Sequence, residues 1–385
     1  MRVEKVRDKD GKVINYILVG DDFQEVKVVS DFIAYLRVKN YSPNTLKNYI
    51  YDLRYYFEYL EVIQKSHKEI RPKDLVDFIS YLKEKPARGK PSNVITIQDI
   101  AKGHKKTGTL SASTINRILA CISSFYDWVM LNDDGYEGNP LPYVLDYKTG
   151  PITDSFKGFL SFVNKGNQAK SRFLKVKAPK QLPRPVSTDK TKLILQSLKT
   201  YRDKAILLLS LQGGLRIGEI LGITFEDINF RKREITVRFR EDNPNGSRVK
   251  SSKDRVVQLY EQEALNCLND YILYERPDSD SEYIFLSGKG KTKGLPLSYQ
   301  GINTIFNYHC KKLGLKVEGK GTELTLHAFR HTHATKMYEG GMSLLSLQKR
   351  LGHSSPQSTQ IYTKVSDNQV KEEYKRVIDT NSETE

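Results

Sequence analysis

Cysteine is scarce in this chain: the three present, Cys121, Cys267 and Cys310, are far apart, odd in number and outside any metal-ligand spacing. That pattern excludes a disulfide framework and leaves ordinary buried thiols. Long apolar runs are missing as well. The longest, around residues 205–211, falls far short of the roughly 20 residues a helix needs to span a bilayer. Residues 1–10 are charged and not signal-like, so a soluble, cytoplasmic protein without a membrane partner is expected. No internal repeat appears. Acidic residues are outnumbered, 46 Asp and Glu against 62 Lys and Arg, for a net charge of +16 and a pI near 9.4. A surplus of that size favours a polyanionic partner. At 385 residues the chain can build two domains with separate cores, plus an extra segment.

What is present falls into blocks. Residues 2–6 and 13–19 carry alternating apolar side chains around Asp10-Gly11, which reads as a β-hairpin and makes residues 1–22 an N-terminal extension. From residue 26 the period turns helical, with Phe32, Tyr35 and Leu36 in one segment and Leu46, Tyr49, Leu53, Tyr56, Phe57 and Leu60 in the next. Ser42 can cap the second helix and Pro43 suits its first turn. Further helices are expected at 74–82 and 113–130, around a long loop at 86–109. Residues 23–138 thus read as a helical domain, with Tyr41, Lys47, Tyr51, Arg54 and Tyr55 on outward faces. Such faces suit phosphate and sugar contacts, or serve only to meet solvent.

Residues 139–186, rich in Pro, Gly and Lys and without a sustained period, read as a linker. Residues 187–365 are compact again. Helices are expected at 189–198, 202–211, 215–221, 262–275, 298–313, 327–339 and 343–351, and strands at 234–239 and 248–259. Asn243, Pro244, Asn245 and Gly246 supply the turn between the strands. Residues 366–385 read as a last helix and tail. The fold class is mainly α with small β elements, a helical domain followed by an α+β one.

Four segments of the second half carry chemistry. Arg216 and Glu219 stand three apart in Gly214-Leu215-Arg216-Ile217-Gly218-Glu219, and His327 and Arg330 do so in Leu326-His327-Ala328-Phe329-Arg330-His331. Leu351-Gly352-His353 follows, and Tyr362 comes nine residues after that histidine. Each alone is a surface ion pair or a core aromatic. Together, two arginines with His and Lys are what attack on a phosphodiester needs, because the transition state gathers negative charge on the non-bridging oxygens. A tyrosine can form a phosphotyrosyl ester that keeps the bond energy for rejoining. Neighbouring cations ease loss of its proton. That scheme requires no metal or other cofactor.

In order and spacing these motifs resemble the tyrosine recombinase, or phage-integrase, family, with its Arg, His-x-x-Arg, Leu-Gly-His and nucleophile-Tyr segments. The resemblance covers residues 190–377 strongly and 26–130 more loosely, where the chain is similar to the family's core-site DNA-binding domain. It implies that residues 187–365 are the catalytic domain of a site-specific DNA recombinase. Such an enzyme cuts and rejoins DNA through a 3′-phosphotyrosyl intermediate, in the manner of type IB topoisomerases. By that resemblance Arg216 and Arg330 clamp the scissile phosphate, His327 handles the tyrosine proton, and His353 donates to a non-bridging oxygen. Glu219 buttresses the site and Tyr362 attacks, while His331 and His333 are packing or supporting groups.

The family's catalytic lysine lies in a β-hairpin. Here Lys250 and Lys253 both fall on the second strand, and Lys250 better fits the family spacing. Lys253 and Arg255 are then DNA contacts, with Lys47, Tyr51 and Arg54. The segment 241–247 is longer than the short turns of chromosome-dimer resolvases. With the N-terminal extension and the long interdomain segment, it resembles transposon-encoded integrases of the transposase A type. The implied partners are double-stranded DNA with short inverted half-sites and three further copies of this chain, forming a homo-tetramer on two sites. The last helix would dock on a neighbouring protomer, and an accessory or partner recombinase has a place in such an assembly. Two other readings stay open. One is a recombinase-like DNA-binding regulator without activity; the other is a metal-dependent hydrolase using His327, His331 and His333.

Overall fold

The opening alternation becomes an antiparallel hairpin, β1 (Arg2–Arg7) with β2 (Val13–Val19); the turn residues Asp10 and Gly11 lie outside the described residues. The structure is a computed structural model that describes residues 1–9, 13–85, 109–132, 138–141, 143–145, 170–172, 174–177, 185–240, 243, 254–315, 324–362 and 374. The chain divides into two units, Met1–Lys180 and Gln181–Glu385.

In the first unit the hairpin leans on α1 (Lys27–Val38) and α2 (Pro43–Val62), and α2 packs in turn on α3 (Pro72–Glu84) and α4 (Ala112–Asn132). Leu18 of β2 is fully buried in their core. Ser42 caps α2 as expected, its hydroxyl accepting from the Thr45 amide at 3.1 Å with Pro43 in the first turn. The helical stripe of α2 buries Ile50, Leu53 and Tyr56 against Ile118, Ile122 and Phe125 of α4. Tyr55, expected on an outward face, is buried. The reason is that the hairpin and three helices all contact α2, so its covered face is wider than one stripe. Within the stretch read as linker, β3 (Tyr143–Leu145) pairs antiparallel with β4 (Lys170–Arg172). Strands of three residues are too short to show a period.

The second unit is built around α6 (Tyr201–Gly213), whose residues Ala205 to Leu209 are all buried. An apolar surface that runs all round a helix requires cover on every side. α5 (Thr188–Ser197) precedes it, and α7 (Ile217–Ile220), α8 (Gln262–Asp270), α9 (Tyr299–Lys312) and α10 (Leu326–Glu339) follow. α11 (Leu344–Leu351) and α12 (Gln357–Gln360) come after them. A three-stranded antiparallel sheet, β5 (Ile228–Asn229), β6 (Glu234–Val237) and β7 (Arg255–Gln258), pairs Val237 with Arg255. The helix expected over 262–275 ends in a π-helical turn at Tyr271–Glu275. Of the last helix and tail expected at 366–385, only Tyr374 lies among the described residues.

Candidate active site

α6 stops at Gly214, which adopts φ +66°, and a Cβ there would stand 2.5 Å from His333 Cδ2. Only glycine suits that position. The chain then reverses so that Arg216 is not within a helix, as its spacing suggested, but is the extended residue capping α7. Its amide donates to Glu219 Oε2 at 2.8 Å and its guanidinium to Glu219 Oε1 at 2.7 Å.

Glu219 is the hub of the site. Arg255 donates to both of its oxygens, at 3.1 and 2.6 Å, and Arg330 Nη1 stands 3.6 Å away. Burial alone would raise the Glu219 carboxyl, but the Arg255 bond and the charges of Arg255, Arg330 and Arg216 hold it below the usual carboxylate range. Three guanidiniums therefore face one carboxylate, and the surplus charge invites an anion. Arg255, read from the sequence as a DNA contact, instead turns inward, with its side chain only 10% exposed. The period-two rule held the signal for this: Arg255 shares a strand face with the buried Val257.

α10 delivers Arg330, which is 1% exposed. Its guanidinium donates to the carbonyls of Gly214 at 2.6 Å and Leu351 at 2.7 Å, while Nη2 meets His353 Nε2 at 3.0 Å. Burial and the neighbouring Arg216 push it down to about 9, so it stays a cation at neutral pH. Since a guanidinium only donates, His353 Nε2 must accept. Its Nδ1 therefore carries the proton and donates to Thr359 at 2.9 Å. Burial, with Arg330 and Arg216, lowers His353 to about 4, so the ring is neutral. Thr359 stands three residues before Tyr362, and that spacing was its only sequence signal.

Tyr362 is 7% exposed and packs on Ala334, Leu347 and Leu351. Burial raises its hydroxyl above the usual phenol value, against the pull of Arg330 and Arg216. The hydroxyl meets His331 Nδ1 at 2.6 Å. His327, expected to handle that proton, is exposed at the start of α10, its ring 4.6 Å from that of His331. His333 ties α10 to α6, bonding the Leu211 carbonyl at 2.9 Å and accepting from Arg350 at 3.0 Å. Among the described residues no group of three or more His, Cys, Asp or Glu could hold a metal ion. Lys250 and Lys253 lie outside the described residues. Among the described residues, Cys121, Cys267 and Cys310 are not joined in disulfides.

In the first unit, the face of α2 read as a DNA contact joins the hairpin. Lys47 Nζ lies 5.4 Å over the Tyr16 ring, and the Tyr16 and Tyr51 rings are 6.3 Å apart. Arg54 pairs with Glu58 at 3.2 Å. Among the described residues no helix is long and apolar enough to cross a membrane.

The phage integrase family matches residues 184–369, and the phage integrase N-terminal SAM-like domain matches residues 29–98. The chain is similar to transposase A from transposon Tn554 of Staphylococcus aureus, with 32% identity over 381 residues, 98% of each chain. It is also similar to tyrosine recombinase XerC of Leptospira interrogans, with 28% identity over 90% of this chain and 91% of that one. Two solved structures share its fold. One is the Tn1549 transposon integrase in complex with transposon right end DNA, at TM-score 0.58 and 19% identity over 91% of this chain and 99% of that one. The other is a lambda integrase dimer bound to a COC' core site, at TM-score 0.55 and 17% identity over 89% and 97%.

Proposed function

Since the chain belongs to the phage integrase family, the DNA-cleaving and rejoining tyrosine recombinases, we propose that it is the integrase of a transposon and cuts DNA through Tyr362. Support for the transposon assignment comes from the end-to-end likeness to transposase A of Tn554. The observation that carries the catalytic reading is the convergence of Arg216 and Arg330 on buried Glu219, with His353 bonded to Arg330. In this reading the two arginines hold the scissile phosphate and Glu219 fixes both. Tyr362 attacks phosphorus to give a 3′-phosphotyrosyl ester, and the 5′-oxygen leaves with a proton from Lys250. His353 donates to a non-bridging oxygen once the phosphate displaces Arg330 from Nε2 and that nitrogen takes up a proton, which the negative charge of the phosphate favours. A cytoplasmic homo-tetramer would bring two DNA sites with short inverted half-sites together. The known lambda integrase dimer on a core site fits one half of such an assembly. Lys47, Tyr51, Arg54 and Lys253 would contact the DNA backbone.

The test is a nicked suicide substrate in excess EDTA. The protein is expected to migrate with DNA on a denaturing gel, the DNA attached to the peptide containing Tyr362, because side chains and not a cation supply the charge on the phosphate. Loss of the adduct on chelation, restored by zinc or magnesium, would favour metal chemistry at His327 and His331. Binding without any adduct would favour an inactive regulator.

The charge of +16 leads to a second expectation. DNA affinity should fall steeply and linearly on a log–log plot against salt, as condensed counterions are displaced. A nearly flat plot would mean that the cationic surface serves another partner.

A further inference from the structure

Four histidines stand in or beside the site, and in two of them both ring nitrogens already have partners other than Tyr362. Both ring nitrogens of His333 bond within the fold, to Leu211 and Arg350, and both of His353 bond to Arg330 and Thr359. His331 differs in that its Nδ1 lies 2.6 Å from the Tyr362 hydroxyl, with the two rings 5.7 Å apart. Hydrogen-bond reach of the proton to be moved is the first requirement for a general base.

We propose that His331 is a catalytic residue that takes the phenolic proton from Tyr362 through Nδ1 as the tyrosine attacks; this rests on the reading of Tyr362 as the nucleophile. The Tyr362 oxygen bonds to phosphorus while the bond from phosphorus to the 5′-oxygen breaks. The phenolic proton passes to His331, which becomes an imidazolium, and the leaving oxygen takes a proton from the general acid. Rejoining runs in reverse, the departing tyrosine recovering its proton from His331.

The surroundings favour this assignment. Burial raises the Tyr362 hydroxyl, so it needs a base to ionise at neutral pH. Burial and Arg330 hold His331 at about 4, which keeps its lone pair free of a proton. Among the described residues, the titratable groups that face it are Tyr362 from beyond α12, and His327 and Arg330 on its own helix. A phosphate seated on Arg330 and Arg216 would offset their charge and raise the proton affinity of His331 at the moment of attack.

The experiment measures single-turnover cleavage of a nicked substrate with a 5′-bridging sulfur, whose thiolate leaves without an acid, so that only the tyrosine side is read. His331→Asn places an amide near Nδ1 that can hold the hydroxyl but cannot carry the proton, and His331→Phe keeps the ring volume. Both are expected to cleave about 100- to 10,000-fold more slowly at neutral pH, with rates rising about tenfold per pH unit as hydroxide replaces the base. Wild type and His327→Gln should stay nearly flat through neutral pH. A flat profile for His331→Asn at any rate would overturn the proposal, since the contact then only positions the tyrosine. A slope appearing with His327→Gln, or in the wild type itself, would overturn it as well. Tyr362→Phe serves as the control that separates the two readings: adduct formation by that variant would mean the nucleophile, and not the base, was misassigned.

Discussion

Tyr362→Phe is expected to form no covalent adduct at all while binding DNA within about twofold of the parent, because only the nucleophilic oxygen is lost. The ring is 7% exposed and packs on Ala334, Leu347 and Leu351, contacts that phenylalanine keeps. The hydroxyl's partner, His331 Nδ1, loses its bond in a half-buried setting, which costs about 1 kcal/mol and a small drop in melting temperature. A nicked suicide substrate on a denaturing gel measures the adduct, and a mobility shift measures binding. An adduct from the phenylalanine variant would remove Tyr362 from the nucleophile's role.

The second large effect is expected at Glu219. Its carboxylate lies among Arg216, Arg255 and Arg330, and is itself 2% exposed. Glu219→Ala leaves these cations facing one another without a counter-charge, and breaking a buried charged cluster in this way costs about 3–5 kcal/mol. Equilibrium unfolding of the full chain in urea should show the loss in the transition of the second unit, with cleavage abolished. The pH dependence has a definite sign. The folded carboxyl is held below its ordinary value of 4.5, so its contribution is complete above that value and is lost as the pH falls through the lower folded one. The alanine variant should lose that acid-side dependence. An unchanged urea midpoint would mean that the guanidiniums are screened by solvent and that Glu219 is not the hub.

Periodicity made most of the helices legible, since a stripe such as Leu46, Leu53 and Leu60 admits few other readings. The Ser42-Pro43 start of α2 fell where the cap chemistry put it. The candidate site was legible through residue types suited to phosphodiester chemistry, and the fold brings Arg216, Glu219, Arg330 and His353 of that set together. What escaped were partnerships between segments distant in sequence. Arg255 on Glu219 joins residues 36 apart, and His331 on Tyr362 joins residues 31 apart. No local pattern encodes such a distance. Arg216 was misplaced by one position, within the helix instead of capping it, because an i, i+3 pair looks the same in both arrangements. The short strands β3 and β4 were missed because pairing across a long insertion leaves no trace in either strand alone.

Arg330 is gripped by the main chain, through the carbonyls of Gly214 and Leu351. A carbonyl cannot be mutated away, so these two acceptors are shielded from side-chain change in a manner that Glu219 is not. Aliphatic exchange at residue 351 alters only packing and leaves the acceptor in place. At residue 214 any side chain adds a Cβ that meets His333 and forces the carbonyl to move. Under random mutation the two ends of one guanidinium would thus fail by different routes, the first through gradual loss of fit and the second in a single step.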